Sequence, residues 1–119
     1  MNVEISSFAD AGNYQKERVV LSVLRDSDIG DYAVLCSPTS AQGNPTPGGK
    51  NAFWFPDGNV RAGDLVILYT KRGTSSTKEL GGGRTAHFYY WGQENALWGS
   101  ASNGAVVLET ADWTFKTPA

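Results

Sequence analysis

Cysteine and histidine are nearly absent from this chain of 119 residues, which has one of each, Cys36 and His87. A single cysteine cannot form an intramolecular disulfide, so the chain does not belong to the class of small disulfide-stapled secreted domains. A single histidine leaves most metal and general-base chemistry without a second imidazole, and no His, Cys and acidic residues cluster at metal-ligand spacing. The sequence therefore predicts no metal site, no cofactor, no catalytic residue and no enzymatic activity.

Long apolar runs and a strong net charge are also lacking. No apolar segment reaches the roughly 18–20 residues that cross a bilayer, and the opening residues lack the basic and apolar regions of a signal peptide. Ten basic and twelve acidic residues leave a net charge of −2, which excludes a global field attracting nucleic acid or an anionic membrane. We therefore expect a cytoplasmic protein with no membrane partner.

Aromatic residues and turn formers, by contrast, are plentiful. The chain has 5 Phe, 5 Tyr and 4 Trp, together with 14 Gly and 5 Pro, a combination that predicts many short strands joined by turns. About eight strands are predicted: Val3–Phe8, Arg18–Leu24, Tyr32–Cys36, Ala52–Phe55, Leu65–Thr70, Thr85–Trp91, Ala105–Thr110 and Trp113–Lys116. The nearly continuous apolar run Arg18–Leu24 suits a strand buried on both faces. Long loops are predicted over Pro38–Asn51 and Gly73–Gly83, and the pattern as a whole favours an all-β sandwich or barrel.

Several short motifs from about Glu17 to Thr114 occur in an order that resembles the lamin tail domain. They are Arg18–Ser22, Ile29–Tyr32, the aromatic-x-Phe-Pro element Phe53–Pro56, the Ala-Gly step and strand of Val60–Tyr69, Tyr90–Gly92, Leu97–Gly99 and the turn and closing strand Ser102–Leu108. The resemblance implies an immunoglobulin-like β-sandwich over residues 17–119, with residues 1–16 as a strand and loop packed on it in a single domain. In a sandwich without a disulfide, the tryptophans supply the bulk of the core.

Other lamin features are missing from this sequence. It has no heptads for a coiled-coil rod, no basic nuclear-import run, and no prenylation box at its closing residues Lys116–Ala119. The resemblance therefore implies a stand-alone tail-like domain, and we expect a prokaryotic or phage origin.

The function expected of such a domain is that of a non-catalytic interaction module that binds a protein partner. Self-association is one form of this function, because an unpaired edge strand accepts another chain. The candidate edges are Val3–Phe8 and Trp113–Lys116. The alternative is a ligand-binding module for nucleic acid or carbohydrate, acting through the basic loop 71–84 and the aromatic strand 87–91.

The basic loop is the first candidate binding site. It holds four of the ten basic residues, Lys71, Arg72, Lys78 and Arg84. Gly81–Gly83 adds backbone amides that are free to form an anion-binding concavity. The competing interpretation is a solvated hairpin tip, since phosphate cradles place their glycines before a helix and these precede a strand.

The aromatic strand is the second candidate. His87, Tyr89 and Trp91 share one face and Phe88 and Tyr90 the other. An exposed face would be a platform for a base, a sugar or a protein, with His87 and Tyr89 as contact residues. The competing interpretation is core on one face and a cross-strand ladder on the other.

Three further patterns are weaker. The acidic turn with Asp26, Asp28 and Asp31 departs from a calcium loop in the position of its glycine and in its last ligand, so it predicts a strand-connecting turn. Cys36 lies in an apolar strand, where a thiol is an inert core residue. The loop Pro38–Asn51 is long for a compact domain, and loops of this length often make contacts.

Overall fold

The chain is built of β-strands joined by turns, in a computed structural model that describes residues 1–118. Ten strands are formed in that range: β1 (Val3–Ala9), β2 (Arg18–Val23), β3 (Ser27–Asp28), β4 (Tyr32–Pro38), β5 (Asn51–Trp54), β6 (Asn59–Val60), β7 (Leu65–Tyr69), β8 (Ser76–Gly81), β9 (Arg84–Tyr90) and β10 (Asn103–Glu109). A 3-10 turn, Ile29–Asp31, precedes β4. The predicted all-β class is confirmed. In these residues the structure contains no helix with the length and apolar character needed to cross a membrane.

The strands form three sheets. The largest has the order β1-β2-β7-β9-β8 and is antiparallel except for the parallel pair β7 and β9. The second sheet has the order β10-β4-β5 and is antiparallel throughout, and β3 pairs with β6 in a short ribbon. After β7 the chain forms β8 at the edge of the large sheet. It then returns as β9, which lies between β8 and β7.

The two larger sheets share one apolar core. Residues at alternate positions of β2, β4 and β7 face inward and are buried: Val19, Leu21, Val23, Tyr32, Val34, Cys36, Val66 and Leu68. Each such side chain contributes about 1.5–3 kcal/mol when it leaves water. The prediction that Arg18–Leu24 is buried on both faces is wrong. Val20 points outward and is half-buried and Leu24 is exposed, because no further layer covers the outer face of the large sheet.

The strand count of ten differs from the predicted eight for identifiable reasons. The strands β3 and β6 have two residues each, too few to give an alternating pattern. The strand β8 lies in the predicted loop Gly73–Gly83, and all of its residues are exposed, so no apolar period marks it. The predicted strand Trp113–Lys116 is irregular and pairs with no strand of residues 1–118.

The carboxylate of Glu17 is completely buried, with 0% of the residue exposed. It accepts hydrogen bonds from the backbone N–H groups of Gly12 (2.9 Å), Leu97 (2.7 Å) and Trp98 (3.3 Å), and from the hydroxyl of Thr70 (2.5 Å). These four donors replace the water that the carboxylate loses on burial. Glu17 thereby connects the loop before β2, the residue after β7 and the segment before β10.

We expect Glu17→Gln to lower the free energy of unfolding by about 2–4 kcal/mol. Both carboxylate oxygens accept from N–H or O–H donors, so the amide NH2 faces a donor whichever way it is turned. Urea denaturation measures the loss, with Glu4→Gln, an exposed position, as the matched control. Equal stability of the two variants would contradict the role assigned to Glu17.

Candidate functional site

The four cations of the basic loop do not converge on one site. Arg72 lies 3.5 Å from the carboxylate of Glu94, and the Nε of Arg84 donates to the carbonyl of Gly63 at 2.7 Å. The Nζ of Lys71 lies 5.6 Å from the centre of the Tyr69 ring. Lys78 lies on the exposed strand β8, opposite Ala86. Each cation therefore has its own surroundings, and no common anion site is formed between them.

Gly81–Gly83 has a conformational role. The three residues have φ values of 87°, 63° and 75° and turn the chain from β8 into β9. Residues with a side chain rarely adopt this left-handed region, so the turn itself accounts for the glycine run.

The side chains of the aromatic strand β9 alternate between its two faces as predicted. Tyr89 points inward and packs edge-on against Phe55, with ring centres 5.1 Å apart, and Trp91 packs on Phe53 at 6.2 Å. His87, on the same face, bonds to Asp64. Neither His87 nor Tyr89 is therefore presented on an open aromatic platform.

The opposite face of β9 carries a closed stack of rings. Tyr90 is parallel to Tyr69, with centres 5.2 Å apart and an angle of 13° between the planes. Arg18 and Lys71 lie near the Tyr69 ring, and the backbone of Gly73 lies so close to Tyr90 that an added Cβ would meet the ring at 2.5 Å. The faces of both rings are thus occupied, as in a cross-strand ladder.

Asp64 and His87 form a hydrogen-bonded pair at the base of this strand, with 2.9 Å between Oδ2 and Nε2. The buried Asp64 carboxylate also accepts the backbone N–H groups of Arg61 and Thr85 at 3.0 Å each. Burial alone raises the pKa of Asp64. The hydrogen bonds from Arg61, His87 and Thr85 outweigh this effect and hold the pKa below its ordinary value of 3.8. Asp64 is therefore a structural anion that joins the turn before β7 to β9.

The direction of this pKa shift makes a prediction about acid stability. A group whose pKa is lower in the folded state stabilises the fold above its unfolded pKa, and this contribution is lost as the pH falls through the folded value. We expect the difference in unfolding free energy between the native protein and Asp64→Asn to shrink on acidification below about pH 4, where the lowered pKa of Asp64 is passed. Urea denaturation at a series of pH values measures the difference. A gap that stays constant down to about pH 2 would contradict the lowered pKa of Asp64.

The remaining residues singled out from the sequence, Asp28 and Cys36, have structural roles in the fold. Asp28 accepts the backbone N–H groups of Gly58 and Gly30, and these two bonds lower its pKa. The Cys36 thiol is buried, and burial, followed by the nearby charge of Glu17, raises its pKa. No group of three or more His, Cys, Asp or Glu side chains within residues 1–118 is arranged to hold a metal ion.

An open apolar depression lies elsewhere, on the outer face of the β10-β4-β5 sheet. There a groove of about 430 Å³ has a floor of small and aliphatic side chains, Ala33, Leu35 and Ala52. Cross-strand pairing places Leu108, Ala33 and Trp54 in one row and Val106, Leu35 and Ala52 in the next. The alanines lie low between larger neighbours, and this difference in size forms the depression. We call it the outer groove.

Two exposed tryptophans form one wall of the outer groove. Trp54 is 52% exposed and Trp113 is 63% exposed. Their rings meet edge to face, 5.1 Å apart at 87°. The Nε1 of Trp54 donates to the carbonyl of Gly30 at 2.8 Å, which fixes the orientation of its ring. The Trp54 ring is therefore held in place, while much of the surface of both rings stays in water.

Gly48 and Lys50, from the predicted loop Pro38–Asn51, form part of the opposite wall. This segment is shorter than predicted, because β4 extends to Pro38 and β5 begins at Asn51, and a bridge between Thr39 and Pro45 folds it back. Lys50 is the one charged residue in the lining of the outer groove. The groove is therefore apolar with a single cation.

The outer groove is not among the sites predicted from the sequence. The prediction that the tryptophans supply the core in place of a disulfide holds for the buried Trp98 and the half-buried Trp91 but is wrong for Trp54 and Trp113. The signal that was available is that β4 and β10 are apolar on both faces. Such strands are typical of a sheet that is covered on both sides.

No protein-family model matches the chain, and no curated protein matches it. The site is therefore interpreted from its own geometry.

Proposed function

We propose that this protein is a non-catalytic interaction module that binds a protein partner through the outer groove. The observation that carries the proposal is the exposure of Trp54, Trp113 and Leu108 around a concave apolar floor. Contiguous exposed apolar surface with a polar rim is a mark of protein interaction sites, and tryptophan is enriched among the residues that dominate binding energy.

The near absence of charge supports a protein surface as the partner. Lys50 is the one charged residue in the groove lining, and depletion of charge at the centre is what distinguishes protein interfaces from the rest of a surface. The fixed Trp54 ring also loses little conformational freedom on binding, so more of the burial energy remains as affinity.

The proposal includes an immunoglobulin-like sandwich that resembles the lamin tail domain. Its support is the pair of sheets that share one core, β1-β2-β7-β9-β8 and β10-β4-β5. In such a sandwich, function resides in grafted surfaces and not in the fold, which agrees with a site on an outer face.

The alternative of nucleic acid binding has less support. Arg72 and Arg84 have partners, and the faces of the Tyr69 and Tyr90 rings are occupied. Base stacking needs free ring faces. One observation favours carbohydrate binding: the exposed rings of Trp54 and Trp113 offer apolar surface to a sugar.

Affinity capture with matched charge variants tests the proposed function. Leu108→Lys places a charge in the outer groove, and Thr77→Lys places the same charge on the exposed strand β8 of the other sheet. Baits are the native protein and both variants, in extract of the source organism. We expect at least one protein to be retained by the native protein and by Thr77→Lys, and to be reduced about tenfold or more by Leu108→Lys.

Two results would contradict the proposal. One is that no protein distinguishes Leu108→Lys from Thr77→Lys. The other is that a glycan, and no protein, binds with this dependence on Leu108, which would move the function to carbohydrate binding.

A further inference from the structure

We propose that one partner of the outer groove is a second copy of this chain, whose segment Trp113–Lys116 adds as a strand to the open edge of β5. This inference rests on the proposed function and names the partner. In the arrangement, Trp113 and Phe115 of one copy lie on the groove side of the other. Each copy has one donor segment and one acceptor edge, so a two-fold pair uses both.

The acceptor is the edge of β5, the last strand of its sheet. Phe55 donates its backbone N–H to Tyr32 and lies opposite it. Antiparallel pairs alternate between bonded and non-bonded, so Phe53 bonds to Val34 while the backbone groups of Ala52 and Trp54 point away from β4. Within residues 1–118, β5 has no strand on its other side, so the N–H groups of Ala52 and Trp54 face an open edge. The edge therefore offers unpaired donors and acceptors directly beside the outer groove.

The edges differ in how they are protected. The strand β8, at one edge of the large sheet, carries Lys78 and Glu79, and the strand β1 at the other edge carries Glu4. Charged side chains of this kind discourage pairing with another chain. The strand β5 carries no charged residue. Of these three edges, β5 is the one without a charged side chain of its own.

The donor is the segment Trp113–Lys116, which has the alternation of a strand but no strand to pair with. If the segment is extended, as an added strand is, Trp113 and Phe115 point to one side. Both side chains are exposed in the single chain, by 63% and 67%. The N–H of Trp113 bonds only to the adjacent side chain of Asp112. No backbone hydrogen bond joins residues 114–118 to the rest of the described chain. Two large aromatic side chains thus remain in water on a segment with free backbone groups.

The path of the chain brings donor and acceptor together. Thr110 is fixed by its N–H and hydroxyl bonds to the carbonyl of Asp31, at 2.7 Å and 3.1 Å. From there the segment crosses to Trp54, where the Trp113 ring packs edge-on. Within one chain, Trp113 and Trp54 meet edge to face, and the backbone groups at the β5 edge stay unpaired. When the segment Trp113–Lys116 pairs instead with β5 of a second copy, its aromatic side chains are buried and the backbone groups of that edge gain partners.

The area available sets the strength of the pair. An aromatic side chain buries about 150–250 Å², so four such rings and the surfaces they cover amount to on the order of 1,000 Å² in a reciprocal pair. This is the lower end of specific interfaces. We therefore expect a reversible dimer with a Kd on the order of 10–100 µM.

Sedimentation velocity between about 1 µM and about 500 µM tests the proposal. Phe115→Ser disables the donor at an exposed position that the fold does not use. Ala52→Pro removes the N–H that points to the open edge and leaves the bonds to β4 intact. Thr114→Ser is the matched control on the other side of the donor segment. We expect dimer formation by the native protein and by Thr114→Ser, and at least a tenfold weaker association of the other two variants.

A labelled peptide of residues 110–118 provides a second measurement, which holds even if Ala52→Pro fails to fold. It should bind the Phe115→Ser chain, whose acceptor is intact, and a peptide with serine in place of Trp113 and Phe115 should not. A native protein that is monomeric throughout, or a dimer that persists in Phe115→Ser, would overturn the proposal, and so would peptide binding without dimer formation. In each of these cases capture of another protein that depends on Leu108 would leave the proposed function standing.

Discussion

The buried carboxylate of Glu17 is the constraint on which the arrangement of the loops depends. A domain with a single cysteine must hold its connections without a covalent link. Here one side chain binds three separate parts of the chain, at Gly12, Thr70 and Leu97–Trp98. It thereby places the Trp98 ring against Phe8 and Trp91, 5.3 Å and 6.2 Å away. A charge that is fully satisfied in this way specifies one geometry, because any displacement leaves it unpaired.

The same arrangement decides which surface remains free. Two of the four tryptophans, Trp91 and Trp98, join the core, and the stack of Tyr69 and Tyr90 closes the middle of the large sheet's outer face. The outer face of β10-β4-β5 has no comparable cover. Its small residues Ala33 and Ala52 lie beside Trp54 and form the outer groove. The exposure of these apolar walls to water is unfavourable, and a bound partner would remove that exposure.

Local pattern was sufficient for the strands with apolar or aromatic runs, such as β7 and β9, and for the grouping of His87, Tyr89 and Trp91 on one face. It failed where a structure depends on distant pairing. The strand β8 is exposed throughout and pairs only with β9, while Trp113–Lys116 has a strand's pattern and no partner strand within the described residues 1–118. The outer groove arises from the register of three strands that are far apart in sequence, so no single window of residues shows it. Glu17 likewise gives no local sign of burial, because its donors come from three different loops.

Amide hydrogen exchange measured by NMR tests most directly whether the β5 edge is open in one copy and paired in two. The N–H of Phe53, which bonds to β4, is the internal control and should be protected at every protein concentration. The account predicts that the N–H groups of Ala52 and Trp54 exchange fast in dilute solution and become protected as the concentration rises through the dimer range. Fast exchange of both groups at all concentrations would contradict it.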